Sequence, residues 1–229
     1  MSVPSDFGAQ RAQARAAAAR VEGWLSEAQG EALFNAAARA TGRGRIVEIG
    51  SWKGRSTVWL ASGARLSGQR VYAVDRHVES REAPGAQTFD TFLANIRSAG
   101  VEEVVTPLVM SSADAANCVE GGVEVLFIDG DHSDAGARAD VELWVPRLVD
   151  GGVILMHDVV TATYTGPRRA FRRRICWSGN FADVHRVGSM GVATRVSQQT
   201  LASTAWSWVA GILLYVVDVK HLLRKARGK

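Results

Sequence analysis

Cysteine is scarce in this chain of 229 residues: Cys118 and Cys176 are its only two, and neither belongs to a CxxC pair. Their scarcity argues against a disulfide scaffold or a cysteine zinc site and suits a reducing compartment, so we predict a cytoplasmic protein. The N-terminus also lacks an apolar signal core and is instead rich in alanine and arginine. With 47% hydrophobic and 22% charged residues, the composition is that of one globular domain with terminal additions.

Widespread positive charge is missing as well. The net charge of +4 comes from two segments, 168–174 and 220–229, which contain five Lys or Arg residues each. The rest of the chain has 17 basic residues against 23 acidic ones and is therefore acidic. Because nucleic-acid-binding proteins are more often basic over a broad face, we predict no nucleic-acid partner. The two basic segments leave three alternatives open: an anionic substrate, a membrane surface or solvated ends.

Five short apolar runs alternate with helix-like stretches along the middle of the chain. They lie at 45–50, 70–75, 104–110, 123–129 and 152–157, and 181–196 reads as two further strands joined at Gly188-Ser189. Continuous apolar runs separated by helices indicate buried parallel strands in βαβ units. We therefore predict an α/β fold, a doubly wound, Rossmann-like, mostly parallel seven-stranded sheet with helices on both faces. Pro107 places the third strand near an edge.

The same pattern divides the chain into three parts. Helices precede the sheet over 1–44, with Ser26 a plausible N-cap, the sheet domain covers 45–198, and a hydrophobic helix with a basic end covers 199–229. Ligands of doubly wound sheets bind at the carboxyl ends of the strands. The polar residues at those ends are Glu48, Asp75, Ser111, Ser112, Asp129, His157 and Asp158. They follow five successive strands, so we expect them to converge on one crevice.

The loop after the first strand, IVEIGSWKGRST over 46–57, fits neither common nucleotide motif. In a G-x-G-x-x-G loop that starts at Gly50, Trp52 would occupy the second glycine position and obstruct a pyrophosphate. A G-x-x-x-x-G-K-[ST] loop needs four residues between its glycines, and only three separate Gly50 from Gly54. Backbone N–H groups at a helix N-terminus still suit a smaller anion such as a carboxylate.

These residues resemble class I S-adenosylmethionine-dependent methyltransferases, in the branch of small-molecule O-methyltransferases. The likeness runs through EIGSWKGRST, VYAVDRH, MSSADAA and VLFIDGDHSDAGARADVELWVPRLVDGGVILMHD, which is most of 45–196. The last stretch is similar to macrocin-type O-methyltransferases and the cephalosporin-hydroxylase-like group, and more distantly to catechol O-methyltransferase. The resemblance implies that 45–198 binds S-adenosylmethionine and that the chain methylates a hydroxyl group.

The resemblance also assigns cofactor-binding residues. Glu48 and Gly50, with Ser51, would shape the loop beside the methionine moiety, and Trp52 would place an aromatic ring against the cofactor. Ser56 would bind the methionine carboxylate. Asp75 would accept both ribose hydroxyls, and it follows Gly50 at the spacing expected of a ribose-binding acid. Ser111 and Ser112 would line the adenine, with Asp129 at the same site.

Methyl transfer to a hydroxyl requires that the acceptor lose a proton, and a divalent metal can assist this step. In metal-dependent relatives Asp129 and Asp158 would be ligands, and His157 stands at the remaining ligand position. Imidazole would move the preference from Mg²⁺ towards Mn²⁺ or another transition metal, and Asp131 is an alternative oxygen ligand. His132 stands where catechol enzymes have a lysine base. We predict it, or Asp129, as the catalytic base, with Asp131 and Asp134 as its neighbours and His157 as second choice.

The arginines of 168–174 follow the fifth strand, where this fold builds its acceptor surface. They motivate the hypothesis of an anionic acceptor, such as a sugar nucleotide, an acidic sugar or a phosphorylated lipid, although most arginines of one helix face solvent. Two other functions stay open: an NAD-binding oxidoreductase, disfavoured by Trp52, and a non-catalytic binding module, permitted by His157.

The apolar segment 201–217 is followed by the basic end and needs to be covered. It is shorter than the ~20 residues of a membrane span. Three alternatives are open: lying on the inner face of an anionic membrane, packing in a homodimer, or folding back over the domain.

Overall fold

The computed structural model describes residues 6–78, 88–198, 200, 204–214 and 216. Seven strands form one sheet in the order β3-β2-β1-β4-β5-β7-β6. They are β1 (Arg45–Ile49), β2 (Val71–Asp75), β3 (Val105–Val109), β4 (Val123–Ile128), β5 (Leu148–Met156), β6 (Phe181–Val187) and β7 (Met190–Arg195). β1 to β5 are parallel, and β7 is antiparallel to both β5 and β6. The predicted fold class is therefore confirmed, with one antiparallel hairpin at the end.

Helices cover both faces of this sheet. They are α1 (Phe7–Ala18), α2 (Glu27–Ala38), α3 (Arg55–Ser67), α4 (Phe89–Ser98), α5 (Ser112–Cys118), α6 (Asp134–Trp144) and α7 (Gly166–Phe171), which continues as a π-turn over Arg172–Cys176. A last helix, α8, spans 204–214. Because every residue of β4 is buried, its sequence is apolar at every position except Glu124 and does not alternate.

Local signals in the sequence fix several element boundaries. Ser26 caps α2, and Gln29 completes a capping box with it, as the prediction of an N-cap at Ser26 requires. Ser133 caps α6 in the same way, accepting a hydrogen bond from the Gly136 N–H at 3.0 Å. Pro107 lies in β3, which is an edge strand, as expected for a residue that cannot donate to a sheet on both sides.

The N-terminal helices pack on α3 and contribute to the same hydrophobic core as the sheet. Leu33 and Phe34 of α2 are fully buried within it. The approach between α2 and α3 is close, because a Cβ added at Gly63 would lie 2.3 Å from the carbonyl oxygen of Phe34. The boundary predicted at 44/45 therefore separates helices from sheet along the chain but does not separate two cores.

Candidate active site

Gly50 brings the loop after β1 against the loop after β4. Its φ is +89°, in the region that favours glycine, and an added Cβ would lie 2.2 Å from the carbonyl oxygen of Asp129. The Asp129 N–H donates to the carbonyl of Ile49 at 2.8 Å, directly before this glycine. The predicted cofactor loop and the predicted catalytic loop are thus in backbone contact.

Asp75 holds the backbone of two neighbouring loops. Its two carboxylate oxygens accept from the N–H groups of Trp52, at 2.8 Å, and His77, at 2.7 Å. Both donors have positive φ, of 42° and 51°, so the carboxylate stabilises two unusual backbone turns. Each oxygen keeps a second lone pair, which leaves Asp75 able to accept from further hydroxyl groups. The His77 side chain is buried, with Nδ1 3.0 Å from the Thr88 hydroxyl.

The Trp52 ring is part of an aromatic pair that the sequence did not predict. It stacks on Trp24, with ring centroids 4.8 Å apart, and the Lys53 ammonium lies 4.4 Å from its centroid. Trp24 is 74% exposed, so an aromatic surface from the segment between α1 and α2 borders the predicted cofactor loop. The available signal was a tryptophan two residues before the Ser26 cap, which by itself does not indicate a site.

Glu48 is fully buried at the end of β1. Burial raises the pKa of its carboxyl to about 8, although hydrogen bonds from Ser56 and Thr57 act in the opposite direction. The Thr57 hydroxyl donates to Oε2 at 2.5 Å. Ser56 therefore lies beside Glu48, and its predicted role towards a methionine carboxylate stays a prediction. Ser51 is buried in the same loop.

This pKa has a direct consequence for stability. Between about pH 4.5 and about pH 8 the folded protein keeps the Glu48 proton while the unfolded chain loses it, so the free energy of unfolding falls as pH rises. We expect Glu48→Gln to remove this fall and to gain stability relative to the wild type from about pH 5 to about pH 8. Urea unfolding of both proteins across that range measures it, with the exposed Glu120→Gln as control. Parallel curves for wild type and Glu48→Gln would contradict the assignment.

The two predicted adenine-lining serines follow β3, where their hydroxyls already have partners. Ser111 caps α5, accepting from the N–H of Asp114 at 3.1 Å and donating to its carboxylate at 2.6 Å. Ser112 accepts from the indole N–H of Trp144 at 2.8 Å. Both residues are half-buried at the carboxyl ends of the strands, and their contact with an adenine stays a prediction.

Four side chains from two strand ends form a compact cluster. His132 Nε2 lies 3.4 Å from Asp129 Oδ1 and 3.3 Å from Asp158 Oδ2. His157 Nδ1 lies 3.2 Å from the same Asp129 oxygen and 3.6 Å from Asp158 Oδ1. The structure thus brings together all four residues predicted for acid–base chemistry and metal binding. Asp158 has a φ of 53°, which turns its carboxylate back towards His132.

The opposite charges in this cluster stabilise each other. Burial alone lowers the pKa of His132, but hydrogen bonds and charge interactions with Asp129 and Asp158 outweigh it and raise the pKa to about 9. The same balance raises the pKa of His157 to about 10. For Asp129 and Asp158, burial raises the carboxyl pKa, but the two imidazoles outweigh it and the net shift is downward. The cluster therefore favours the ionised form of both carboxyl groups and the protonated form of both imidazoles.

Asp131 and Asp134, the acids expected beside His132, have other partners in the structure. The carboxylate oxygen Oδ1 of Asp131 accepts from the Ser133 N–H at 2.8 Å, at the start of α6. Asp134 pairs with Arg169 and accepts from Thr165 at 3.3 Å. Both acids are used by helix termini, and Asp129 and Asp158 orient the imidazole instead. Tyr164, not predicted here, stacks on His132 with centroids 4.3 Å apart.

The donor atoms of the cluster fit a divalent transition metal. Among the described residues, Asp129, His132 and His157 can each direct one ligand atom to a group in which all such atoms lie within 4.8 Å of one another. Two imidazole nitrogens and a carboxylate oxygen favour Mn²⁺ or another transition metal over Mg²⁺. Binding would have to displace the imidazolium protons, since a ligating histidine is neutral.

Two of the five arginines of 168–174 face inwards. Arg168 is fully buried and donates to the carbonyl of Thr161 at 2.6 Å, and Arg172 is buried with its guanidinium 5.2 Å from the Trp177 ring centroid. Reversing their charge would therefore test the fold and not acceptor binding. The five arginines of 168–174 therefore do not form one basic surface.

The other arginines lie along α6. Arg169 and Arg174 pair with Asp134 and Glu142, respectively. Together with Arg138 and Arg173 they line a surface groove of about 460 Å³ between α6 and the segment from α7 onwards. The groove has both signs of charge, with guanidinium groups in excess.

Known proteins resemble this chain over the same region. Residues 47–159 match a family model described as a methyltransferase domain. A catechol O-methyltransferase of Mycobacterium tuberculosis is 31% identical over 137 residues, which are 59% of this chain and 56% of that protein. The chain thus spans little more than half the length of this curated relative.

Solved structures extend the likeness to the fold. An O-methyltransferase from Bacillus cereus, in complex with SAH, has a TM-score of 0.60 at 24% identity and covers 86% of this chain and 93% of its own. The O-methyltransferase TomG from Streptomyces achromogenes, in complex with SAM, also has a TM-score of 0.60, at 20% identity, and covers 86% and 92%. The family resemblance read from the motifs and the expected fold are both confirmed.

Proposed function

We propose that this chain, whose residues 47–159 match a family model described as a methyltransferase domain, is an S-adenosylmethionine-dependent O-methyltransferase. One observation carries the proposal. The loop after β1, which Asp75 holds through the Trp52 N–H, is in backbone contact at Gly50 with the loop that contains Asp129, at the carboxyl ends of the strands. A cofactor seated on the first would present its methyl group beside the second. NAD fits the loop less well, because Trp52 fills the space of a second glycine.

In this reaction the acceptor oxygen loses a proton and forms a bond to the methyl carbon, while the bond from carbon to the sulfonium breaks. His132 takes the proton at Nε2 when it is neutral, and Asp129 and Asp158 stabilise the imidazolium that results. Asp129, His157 and Asp158 would hold a divalent metal, which leaves Nε2 of His132 for the proton. When bound, the metal lowers the pKa of the acceptor hydroxyl.

Cofactor binding tests the proposal directly. We expect calorimetry to detect S-adenosylhomocysteine and not NAD, and Asp75→Asn to weaken the binding by roughly tenfold to a hundredfold, because a charged acceptor of hydroxyl groups is lost. The exposed Asp90→Asn is the matched control and should bind as the wild type does. Titrations with Mg²⁺ and Mn²⁺ show whether a metal is required and which one. Binding of NAD without S-adenosylhomocysteine would overturn the proposal.

The acceptor we propose is a small molecule with a hydroxyl group, as the name of the mycobacterial relative suggests for that protein. Arg138 and Arg173, in the groove beside α6, support an anionic member of this class. Catechol and its carboxylated analogue form a suitable pair of test substrates. We expect kcat/KM to be higher for the carboxylated one by roughly tenfold, the effect of one charge-assisted contact. Equal values would exclude the anionic preference but leave methyl transfer intact.

A further inference from the structure

The last described helix, α8, uses one of its faces to pack on the sheet domain. Ser207 is buried and its hydroxyl donates to the carbonyl of Phe181 at 3.2 Å. Gly211 lies against Trp177, since an added Cβ would be 2.2 Å from the indole nitrogen, and Leu214 is buried in the core. The helix therefore folds back over the domain, one of the three alternatives considered from the sequence.

Folding back leaves the opposite face of α8 exposed, with Trp208 at its margin, where the indole also stacks on Trp177 with ring centroids 5.9 Å apart. The side chains at 208, 209, 212, 213 and 216, whose spacing places them along one side of a helix, are between 42% and 62% exposed. They are Trp208, Val209, Ile212, Leu213 and Val216. No charged residue occurs between Arg195 and Asp218. A continuous apolar stripe of this kind on a protein surface marks an interaction site.

The charge around the stripe indicates which partner it fits. The sequence that follows the helix, 217–229, lies outside the described residues and has five Lys or Arg residues against one acid, Asp218. The hairpin under the helix adds Arg186 and Arg195 against one acid, Asp183. A second copy would bring two such basic ends together with like-charge repulsion. An anionic lipid surface offers opposite charge and an apolar layer at once.

We propose that the exposed face of α8 docks the protein on an anionic membrane surface. The helix lies in the interface plane, with Trp208 at the headgroup level and Ile212 and Leu213 in the outer acyl region, where tryptophan and aliphatic side chains are favoured. Among the residues that the structure describes, no helix is long and apolar enough to cross a membrane. This inference is independent of the proposed methyl transfer, because none of its residues belongs to the active-site cluster.

Flotation of the full-length protein with lipid vesicles tests the proposal. We expect co-flotation with phosphatidylcholine vesicles that contain about a third phosphatidylserine, weak binding to pure phosphatidylcholine, and loss of binding at high salt. The Ile212→Ser/Leu213→Ser variant should reduce the partition coefficient at least about tenfold, because two apolar side chains no longer leave water. The matched control, Val109→Ser/Leu143→Ser, removes exposed apolar side chains from other surfaces and should float as the wild type does.

Thermal melting verifies that both variants are folded, and light scattering of the wild type and variants measures the oligomeric state. Absence of flotation by the wild type, or equal flotation with neutral and anionic vesicles, overturns the proposal. A dimer that dissociates in the Ile212→Ser/Leu213→Ser variant assigns the stripe to a second copy and overturns it as well. Methyl transfer assayed on the same variants should be unchanged with a water-soluble acceptor, which separates the two proposals.

Discussion

Replacing Asp129 by asparagine is expected to lower the rate of methyl transfer by roughly 10²–10⁴-fold, the usual contribution of acid–base catalysis. Asp129 Oδ1 lies within 3.4 Å of both imidazoles, so the amide removes the charge that orients them and stabilises the protonated His132. The same charge raises the pKa of His132, and without it this pKa falls. The limb of the pH–rate profile that rises with pH should therefore move to lower pH in the variant. Steady-state kinetics across pH measures both effects.

The control for this variant lies two residues further along the same loop. Asp131→Asn keeps the oxygen that accepts from the Ser133 N–H, and it does not belong to the cluster. We expect its rate to be within about twofold of the wild type, because only an exposed helix-end interaction changes. A loss of activity in Asp131→Asn as large as that in Asp129→Asn would show that the assignment within Asp129-Gly130-Asp131 is wrong.

Among alanine substitutions at the loop glycines of the site, Gly50→Ala is expected to lower the free energy of unfolding the most. The added Cβ meets a backbone carbonyl at 2.2 Å and the residue has a φ of +89°, so strain and overlap should destabilise the protein by about 3–5 kcal/mol. S-adenosylhomocysteine binding should be lost with it. Urea unfolding and calorimetry are the measurements.

Gly68→Ala separates the two causes. Gly68 also has a positive φ, of 66°, but an added Cβ finds nothing within 4 Å. Its cost should be about 1–2 kcal/mol, that of the left-handed backbone alone. If the two alanine variants were equally stable, the contact between Gly50 and Asp129 would not be tight, and the coupling between the two loops would have to be abandoned.

The sheet could be read from the sequence because its strands are buried on both faces. Val123–Ile128 is apolar at nearly every position, and a short apolar run between two helical stretches is typical of a buried parallel strand. The cap at Ser26 could be predicted as well, since a capping hydroxyl acts on a residue three positions away. Local chemistry and topology thus placed the strand ends, and with them Asp75, Asp129 and Asp158.

The partners of His132 could not be read in the same way. Asp131 and Asp134 are its nearest acids along the chain, but Asp131 accepts from the Ser133 N–H at the start of α6, and Asp134 accepts from the Thr165 hydroxyl and pairs with Arg169. Asp158 reaches the imidazole only because β4 and β5 are adjacent in the sheet. Arg168 shows the same limit. Nothing in a run of arginines distinguishes the two buried ones, Arg168 and Arg172, from those that pair on the surface.

The stacking of Trp24 on Trp52 means that residues before the sheet contribute to the surface of the proposed site. A fragment cut at residue 45 would keep every strand and every residue that the motifs select. It would lose Trp24 beside the predicted cofactor loop. It would also lose α2, which packs closely on Trp59 and Gly63, so an apolar face of α3 would be uncovered. The two leading helices and the segment between them form one wall of the proposed active site. Homologues that differ in their leading segments can differ in the shape of the site while sharing the same sheet.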